Sequence, residues 1–216
     1  MSWKTHEVCG HVVEYDDSTH TYIADGIEVP SVTQLLKRRF GGKYDGIPKA
    51  VLENAARLGT LLHETIEAAE KADDFSAFIP PAEVEDEFRS YRFLKKQYGF
   101  TCMGNEILLL IPHKGEIIAA GRMDMLVSSR EGKTGVADIK RTSVLDENYL
   151  SYQLTLYALG LKYRTGTEAE FGRCIWLRKT ERKYKAIPFC FDLVEELLEE
   201  VWHENHSETG ICAEAL

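Results

Sequence analysis

The sequence has few cysteines, and no two of them lie close together. Its five cysteines occur singly, with no Cys-x-x-Cys motif, at Cys9, Cys102, Cys174, Cys190 and Cys212. This spacing argues against a zinc ribbon and against a framework of disulfide bonds. We therefore expect a reducing, intracellular environment for the chain.

Long apolar segments are also missing. The longest apolar run, residues 107–111, is followed by Pro112. It is far shorter than the roughly 20 residues that a membrane-spanning helix needs. The first ten residues contain no apolar segment of the signal-peptide type. We expect neither a signal peptide nor a membrane partner.

Positive charge is in deficit, because 26 Lys and Arg residues stand against 35 Asp and Glu residues, a formal net charge of −9. This balance argues against nucleic-acid binding through a broad basic surface. The charges are unevenly distributed, however, and residues 178–185 form a strongly basic stretch. An enzyme that acts on nucleic acid through a local site therefore remains compatible with the composition.

The pattern of apolar residues predicts an α/β fold. The 216 residues, 44% of them hydrophobic, suit one large domain or two small ones. Alternation in residues 11–30 predicts a small β meander, and Ser31 to Gln34 has the pattern of a capping box before a short helix. Helical periodicity follows at 48–69, 83–98, 147–163 and 193–206, and strands are expected at 101–111, 116–127, 134–140, 170–177 and 184–191.

This order of elements predicts a central mixed β-sheet flanked by helices. We expect a single domain with three parts. Residues 1–47 form the meander and the short helix, residues 48–206 form the core, and residues 207–216 form a tail.

Two carboxylates and a lysine lie inside predicted strands. Asp124 is followed fourteen positions later by Asp138-Ile139-Lys140. Because side chains alternate along a strand, Asp138 and Lys140 share one face. An unpaired buried charge costs several kcal/mol, so such a cluster requires compensation. Carboxylate oxygens suit Mg²⁺ or Mn²⁺, whereas the alternative interpretation is a surface salt bridge on an edge strand.

Five motifs in a fixed order resemble those of the PD-(D/E)XK nucleases. Within this superfamily they are similar to the branch that contains the RecB-type nuclease domain and phage and mitochondrial exonucleases. Asp-x-Lys alone is a weak signal, and the specificity lies in the order of the motifs across residues 20–160. The motifs are Glu28-Val29-Pro30-Ser31-Val32-Thr33, Gly59-Thr60-Leu61-Leu62-His63, Gly121-Arg122-Met123-Asp124, Asp138-Ile139-Lys140 and Gln153-x-x-x-Tyr157.

The resemblance implies a restriction-endonuclease-like core and a role for each matched residue. It implies that Mg²⁺ or Mn²⁺ binds to His63, Asp124, Asp138 and the backbone carbonyl of Ile139, with Glu106 as a further candidate. It also implies catalytic roles for Lys140, Asp138, Asp124, Gln153 and Tyr157, with Lys140 acting on the attacking water. Alternatives stay open, because His63 could be a histidine at the core boundary, Glu106 a surface residue and Tyr157 a packing residue.

The basic stretch is predicted to form a hairpin turn. Arg178, Lys179, Arg182 and Lys183 could contact phosphates, or the turn could simply be a solvated loop. Aromatic residues at positions 40, 44, 149 and 152 could stack on unpaired bases, although packing in the core explains them equally well.

The expected function is that of a metal-dependent DNA exonuclease that hydrolyses phosphodiester bonds. The resemblance suggests phage or prophage DNA recombination or processing, in the cytoplasm of a bacterial or phage-infected cell, with DNA and a single-strand annealing or recombination protein as partners. Alternatives are a structure-specific endonuclease of the same fold and a non-catalytic nucleic-acid-binding module.

The spacing of the last three cysteines leads us to expect no iron–sulfur cluster. The sequence does not determine whether the substrate is single- or double-stranded, in which direction it is digested, or what oligomeric state the chain has.

Overall fold

The structure, a computed structural model, describes residues 3–16, 19–41 and 48–207. Within these ranges it contains a four-stranded antiparallel sheet, a five-stranded mixed sheet and five α-helices. The predicted α/β class, with a central mixed sheet flanked by helices and an N-terminal meander, is confirmed. Residues 208–216 of the expected tail lie outside the described residues, and the division into three parts stays a prediction.

The N-terminal sheet contains one strand more than the sequence predicts. Its strands, in spatial order, are β1 (Trp3–Val8), β2 (His11–Asp16), β3 (Thr21–Ala24) and β4 (Ile27–Val29). Strand β1 was missed because it is polar, and Val8 is its single buried residue. Helix α1 (Val32–Phe40) follows, and the predicted capping box is present: the backbone N–H of Gln34 donates to Ser31 Oγ at 3.1 Å, and that of Ser31 donates to Gln34 Oε1 at 2.7 Å.

The large sheet has the order β5-β6-β7-β8-β9. Its strands are β5 (Thr101–His113), β6 (Glu116–Ser128), β7 (Thr134–Lys140), β8 (Phe171–Leu177) and β9 (Arg182–Ile187). All neighbours are antiparallel except β7 and β8. A parallel pair needs a crossover connection, which helix α4 (Glu147–Thr165) supplies. Strand β9 ends at Ile187, four residues earlier than predicted, because the next residue, Pro188, cannot donate a ladder hydrogen bond.

Helices cover both faces of the large sheet. Helix α4 is buried over most of its circumference and shares one core cluster with α1 and with α5 (Phe191–Ser207). Helices α2 (Lys49–Lys71) and α3 (Glu85–Tyr98) form a second cluster with the opposite face. Among the described helices, none is both long enough and apolar enough to cross a membrane.

The long hairpin of β5 and β6 is shared between two packing partners. Leu108, Leu110 and Ala120 pack against the N-terminal sheet, and the backbone N–H of Ala120 donates to the carbonyl of Pro30 at 3.0 Å. Nearer β7, the same hairpin packs under α2 and α3 through Met125. The N-terminal sheet and α2 therefore stand side by side and form the walls of a cleft.

Gly160 allows α4 to approach β5 closely. A Cβ atom at this position would lie 2.9 Å from Ile111 Cδ1 and 3.1 Å from the Leu110 carbonyl oxygen. We expect Gly160→Ala to lower the free energy of unfolding by about 1 kcal/mol. Overpacking typically costs about 1–3 kcal/mol, which exceeds the gain of about 1 kcal/mol from the higher helix propensity of alanine.

Denaturation by urea measures this effect, with Gly59→Ala as the matched control. Gly59 also lies inside a helix, but a Cβ atom there meets nothing within 4 Å. Gly59→Ala should therefore raise the free energy of unfolding by about 0.5–1 kcal/mol. Equal stabilisation by both substitutions would contradict the close packing of α4 on β5.

Candidate metal centre

The candidate centre lies where β6 and β7 separate. The ladder between these strands begins at Ser128 and Thr134, and its last pair is Met125 with Ala137. Beyond that pair, Asp124 Oδ2 accepts a hydrogen bond of 2.7 Å from the backbone N–H of Ile139. The Asp124 side chain thus takes the place of a ladder partner and fixes the spacing between the two strands.

His63 reaches this gap from helix α2. Its Nε2 atom lies 3.1 Å from the Ile139 carbonyl oxygen, and its Nδ1 atom lies 3.4 Å from Glu106 Oε1 and 3.8 Å from Asp124 Oδ2. One ligand atom each from His63, Glu106 and Asp124 lies within 4.8 Å of the other two. An imidazole nitrogen and two carboxylate oxygens, all half-buried, form a donor set suited to Mn²⁺, and the oxygens also suit Mg²⁺.

The backbone of Glu106 adopts a conformation that is rare for any residue other than glycine. Its φ angle is 49°, in the left-handed region. Glu106 sits between the pairs Asn105–Met125 and Ile107–Met123, so it faces Asp124. Its second oxygen lies 3.3 Å from Arg122 Nε. Such a conformation costs about 1–3 kcal/mol and occurs preferentially at functional sites, which strengthens the case for Glu106 as a ligand.

Asp138 and Lys140 form an ion pair on the same face of β7, as the alternation predicts. Lys140 Nζ lies 2.8 Å from Oδ1 and 2.7 Å from Oδ2 of Asp138, whose side chain is 0% exposed. The contact of Nζ with Oδ2 is short enough for an ion pair but lacks the geometry of a hydrogen bond, so Oδ2 can still accept a hydrogen bond or bind a cation. Asp138 is thus directed toward Lys140, next to the cluster of His63, Glu106 and Asp124 and not within it.

The charges of the centre shift the pKa values of its members. Burial disfavours the His63 cation, but Asp124 and Glu106 outweigh burial and raise the pKa of His63 to about 9. Burial also raises the pKa of Asp138, with a smaller contribution from Asp124 and against the opposing effect of Lys140. Burial disfavours the Lys140 cation, yet Asp138 and Asp124 overcome it and raise the pKa of Lys140. Asp124 and Glu106 thus favour the protonated form of the His63 imidazole.

Gln153 and Tyr157 close the centre from helix α4. Gln153 Nε2 donates to the Tyr157 hydroxyl at 3.3 Å, and Gln153 Oε1 is buried with no hydrogen-bond partner. Burial raises the pKa of Tyr157, which keeps its hydroxyl protonated. A Cβ atom at Gly121 would lie 3.0 Å from Val32 and 3.3 Å from Tyr157. The glycine of the Gly121-Arg122 motif therefore permits the ring to reach the strand.

These residues line a cleft of about 590 Å³. It contains all the side chains predicted to be catalytic or metal-binding, Glu106 included, except that of the fully buried Asp138. Its opposite wall comes from the N-terminal sheet, with Lys4, His20 and Tyr22. Sequence analysis missed these three residues, because no motif includes them and the packing of the N-terminal sheet beside the cleft is a tertiary contact.

The predicted basic residues lie outside this cleft. Arg178 and Lys179 are in the turn after β8 and line a separate cavity of about 270 Å³ with Arg141 and Glu87. Because β7 and β8 are parallel, this turn is next to the end of β7. Two further basic side chains belong to β9 and lie over aromatic rings, Arg182 at 3.9 Å from the Phe93 ring centre and Lys183 at 4.9 Å from that of Trp176. Tyr44, a predicted stacking residue, lies outside the described residues.

Comparisons with known proteins leave the family open. No protein-family model matches the chain, and no curated protein matches it. Among solved structures, the crystal structure of SSO0001 aligns with 83% of this chain and 77% of that chain, at 18% sequence identity and a TM-score of 0.43. A likeness at this level carries no argument about function. The interpretation of the centre depends on its geometry and on the sequence motifs.

The left-handed backbone of Glu106 leads to a stability prediction for the metal-free protein. Glu106→Gly should be more stable than Glu106→Gln by about 1 kcal/mol, because a side chain in this conformation costs about 1–2 kcal/mol that glycine avoids. Both variants lose the same charge, so the comparison isolates the backbone. Urea denaturation in the presence of a chelator measures the difference.

Glu14 in β2 provides the matched control, since its φ angle is not among the positive ones. There the glycine variant should be less stable than the glutamine variant, by about 0.5–1 kcal/mol. If the order of stability at position 106 were the same as at position 14, the left-handed conformation of Glu106 would be refuted.

Proposed function

We propose that this chain is a metal-dependent nuclease of the PD-(D/E)XK superfamily that degrades DNA from its ends. The observation that carries the proposal is the convergence of His63, Glu106 and Asp124 beside the Asp138–Lys140 ion pair in one cleft. Burying an ion pair adds little stability compared with apolar packing. A cluster of this kind at the point where two strands separate is better explained by chemistry than by stability.

The residues present suit a resident Mg²⁺ or Mn²⁺ ion. His63, Glu106 and Asp124 would hold it. Two further oxygens, Asp138 Oδ2 and the backbone carbonyl of Ile139, could add ligands. When bound, such an ion polarises a phosphate oxygen and makes a water molecule more acidic. The remaining steps belong to side chains of the protein.

Lys140 is the principal electrostatic group in this proposal. Its raised pKa keeps it a cation, so it can donate a hydrogen bond to the phosphate and stabilise the charge that develops during hydrolysis. We therefore assign Lys140 a stabilising and positioning role. Gln153 can hold a phosphate oxygen with its amide, and Tyr157 holds Gln153 in place.

The choice of exonuclease over endonuclease comes from the motif resemblance. The same source suggests a setting in phage or prophage recombination, in the bacterial cytoplasm, together with a single-strand annealing or recombination protein. The basic turn at Arg178 and Lys179, near the end of β7, is a candidate contact for the phosphates of a strand that leaves the cleft.

Hydrolysis of end-labelled linear DNA with Mg²⁺ or Mn²⁺ tests the proposal. Asp124→Asn and Lys140→Ala should each lower kcat by about 100- to 1,000-fold, the usual effect of removing one group that stabilises a transition state. Lys162→Ala is the matched control and should retain full activity, because Lys162 is exposed and pairs with Glu168.

Circular DNA separates the two nuclease types. An exonuclease leaves circular DNA intact under conditions in which linear DNA is degraded, whereas an endonuclease cuts both. Activity that survives both Asp124→Asn and Lys140→Ala would exclude this centre as the source of hydrolysis. If wild-type protein binds DNA and cleaves neither form with either ion, the non-catalytic alternative replaces the proposal.

A further inference from the structure

A second cavity adjoins the candidate metal centre. It has a volume of about 670 Å³ and shares Thr33, Lys140 and Gln153 with the main cleft. The two cavities differ in character, since apolar side chains dominate the second one. These side chains are Phe40, Leu52, Val144, Leu145, Tyr149 and Leu150. The candidate centre is therefore open both to a polar cleft and to an apolar pocket.

Phe40 gives this pocket a fixed aromatic surface. Its ring makes edge-on contacts with Tyr149, at 5.5 Å between centres, and with Tyr152, at 5.2 Å. Such contacts restrain the orientation of a ring. Phe40 and Tyr149 both line the pocket, and Lys37, Thr142 and Asp146 add polar groups. A flat ligand with an apolar face and polar edges matches this lining, and the volume is within the range of small-ligand sites.

Gln153 supplies a second and independent observation. The residue is 5% exposed and lines both cavities, yet its Oε1 atom has no hydrogen-bond partner. A buried acceptor without a donor is costly and needs an explanation. An amino group on the edge of a ligand in the pocket could donate the missing hydrogen bond.

We propose that this pocket binds one unpaired base of the substrate strand, adjacent to the phosphate that is cleaved. The inference rests on the proposed nuclease function and narrows its substrate to a strand that is single at this nucleotide. A flat heterocycle with amino groups on its edge fits both the aromatic lining and the unpartnered oxygen. In the interior of a duplex both faces of a base are stacked and its Watson–Crick edge is paired, so the base must leave the duplex before it can enter the pocket.

A double-mutant cycle tests this inference: the base is removed from the DNA, an aromatic residue is replaced in the protein, and the binding affinity is measured for each combination. A short single-stranded oligonucleotide carries 2-aminopurine at successive positions, and its fluorescence is measured during titration with the full chain in Ca²⁺. One position should be quenched on binding. Removal of that base alone should weaken binding to the wild type about tenfold or more, in line with the usual value of base stacking on aromatic side chains.

In Phe40→Leu and Tyr149→Leu, removal of the same base should change the affinity less than about twofold, because the partner is already lost. Val144→Asp adds a variant that cannot disturb folding through the core, since Val144 is 74% exposed at the pocket. It should weaken binding of the intact strand more than binding of the strand without the base, because the added charge repels the phosphates of both strands equally and excludes only the base from the pocket. Phe191→Leu, on the exposed start of α5, is the matched control and should behave as the wild type.

The outcomes separate this inference from the nuclease proposal. Coupling between the base and Phe40 or Tyr149, without any cleavage in Mg²⁺ or Mn²⁺, supports the pocket and overturns the nuclease function. If linear DNA is cleaved but removal of the base weakens binding equally in the wild type and in all variants, the pocket is overturned and the nuclease function is supported. Equal quenching of a fully paired duplex overturns the requirement for an unpaired base.

Discussion

The separation of β6 from β7 beyond Met125 and Ala137 is the constraint on which the candidate centre depends. In the register of the ladder, the next pair would place Asp124 directly opposite Asp138. Two carboxylates in that position repel each other. Because the strands part, Asp124 instead accepts a hydrogen bond from Ile139, and Asp138 turns to Lys140. The gap that results is the place that His63 enters from α2.

The centre balances charges that would each be costly alone. Three carboxylates, of Glu106, Asp124 and Asp138, lie among the cationic groups of His63, Arg122 and Lys140. A buried charge is tolerated when it is paired, and here each carboxylate has a cation beside it. The left-handed backbone of Glu106 adds a local cost. Local rules of stability are broken at this position of the sheet, as is common at functional sites.

The sequence predicts those features that depend on local periodicity. The capping box of α1, the start and end of β7 and the common face of Asp138 and Lys140 follow from neighbouring residues. Strand β1 could not be predicted, because an exposed polar strand has no apolar alternation. The contacts of Glu106 could not be predicted either, because they depend on a backbone conformation that glutamate rarely adopts. The alternation of side chains along a strand predicts which face a residue lies on, but not how far it lies from residues of other elements. The motif resemblance predicts His63 as a member of the centre, but the wall formed by the N-terminal sheet depends on tertiary packing alone.

The β5–β6 turn joins residues that are close in the sequence, whereas the contacts of His63 join residues that are far apart. Lys114 and Gly115, both with positive φ angles, connect the two strands directly, which is typical of a hairpin that forms early from local contacts. The contact between His63 and Ile139 joins residues 76 positions apart, and contacts of long range close late because the loop entropy must be overcome first. A chain that has formed only its hairpins has no assembled centre. The kinetics with which the contact between His63 and Ile139 forms would thus report a late step of folding.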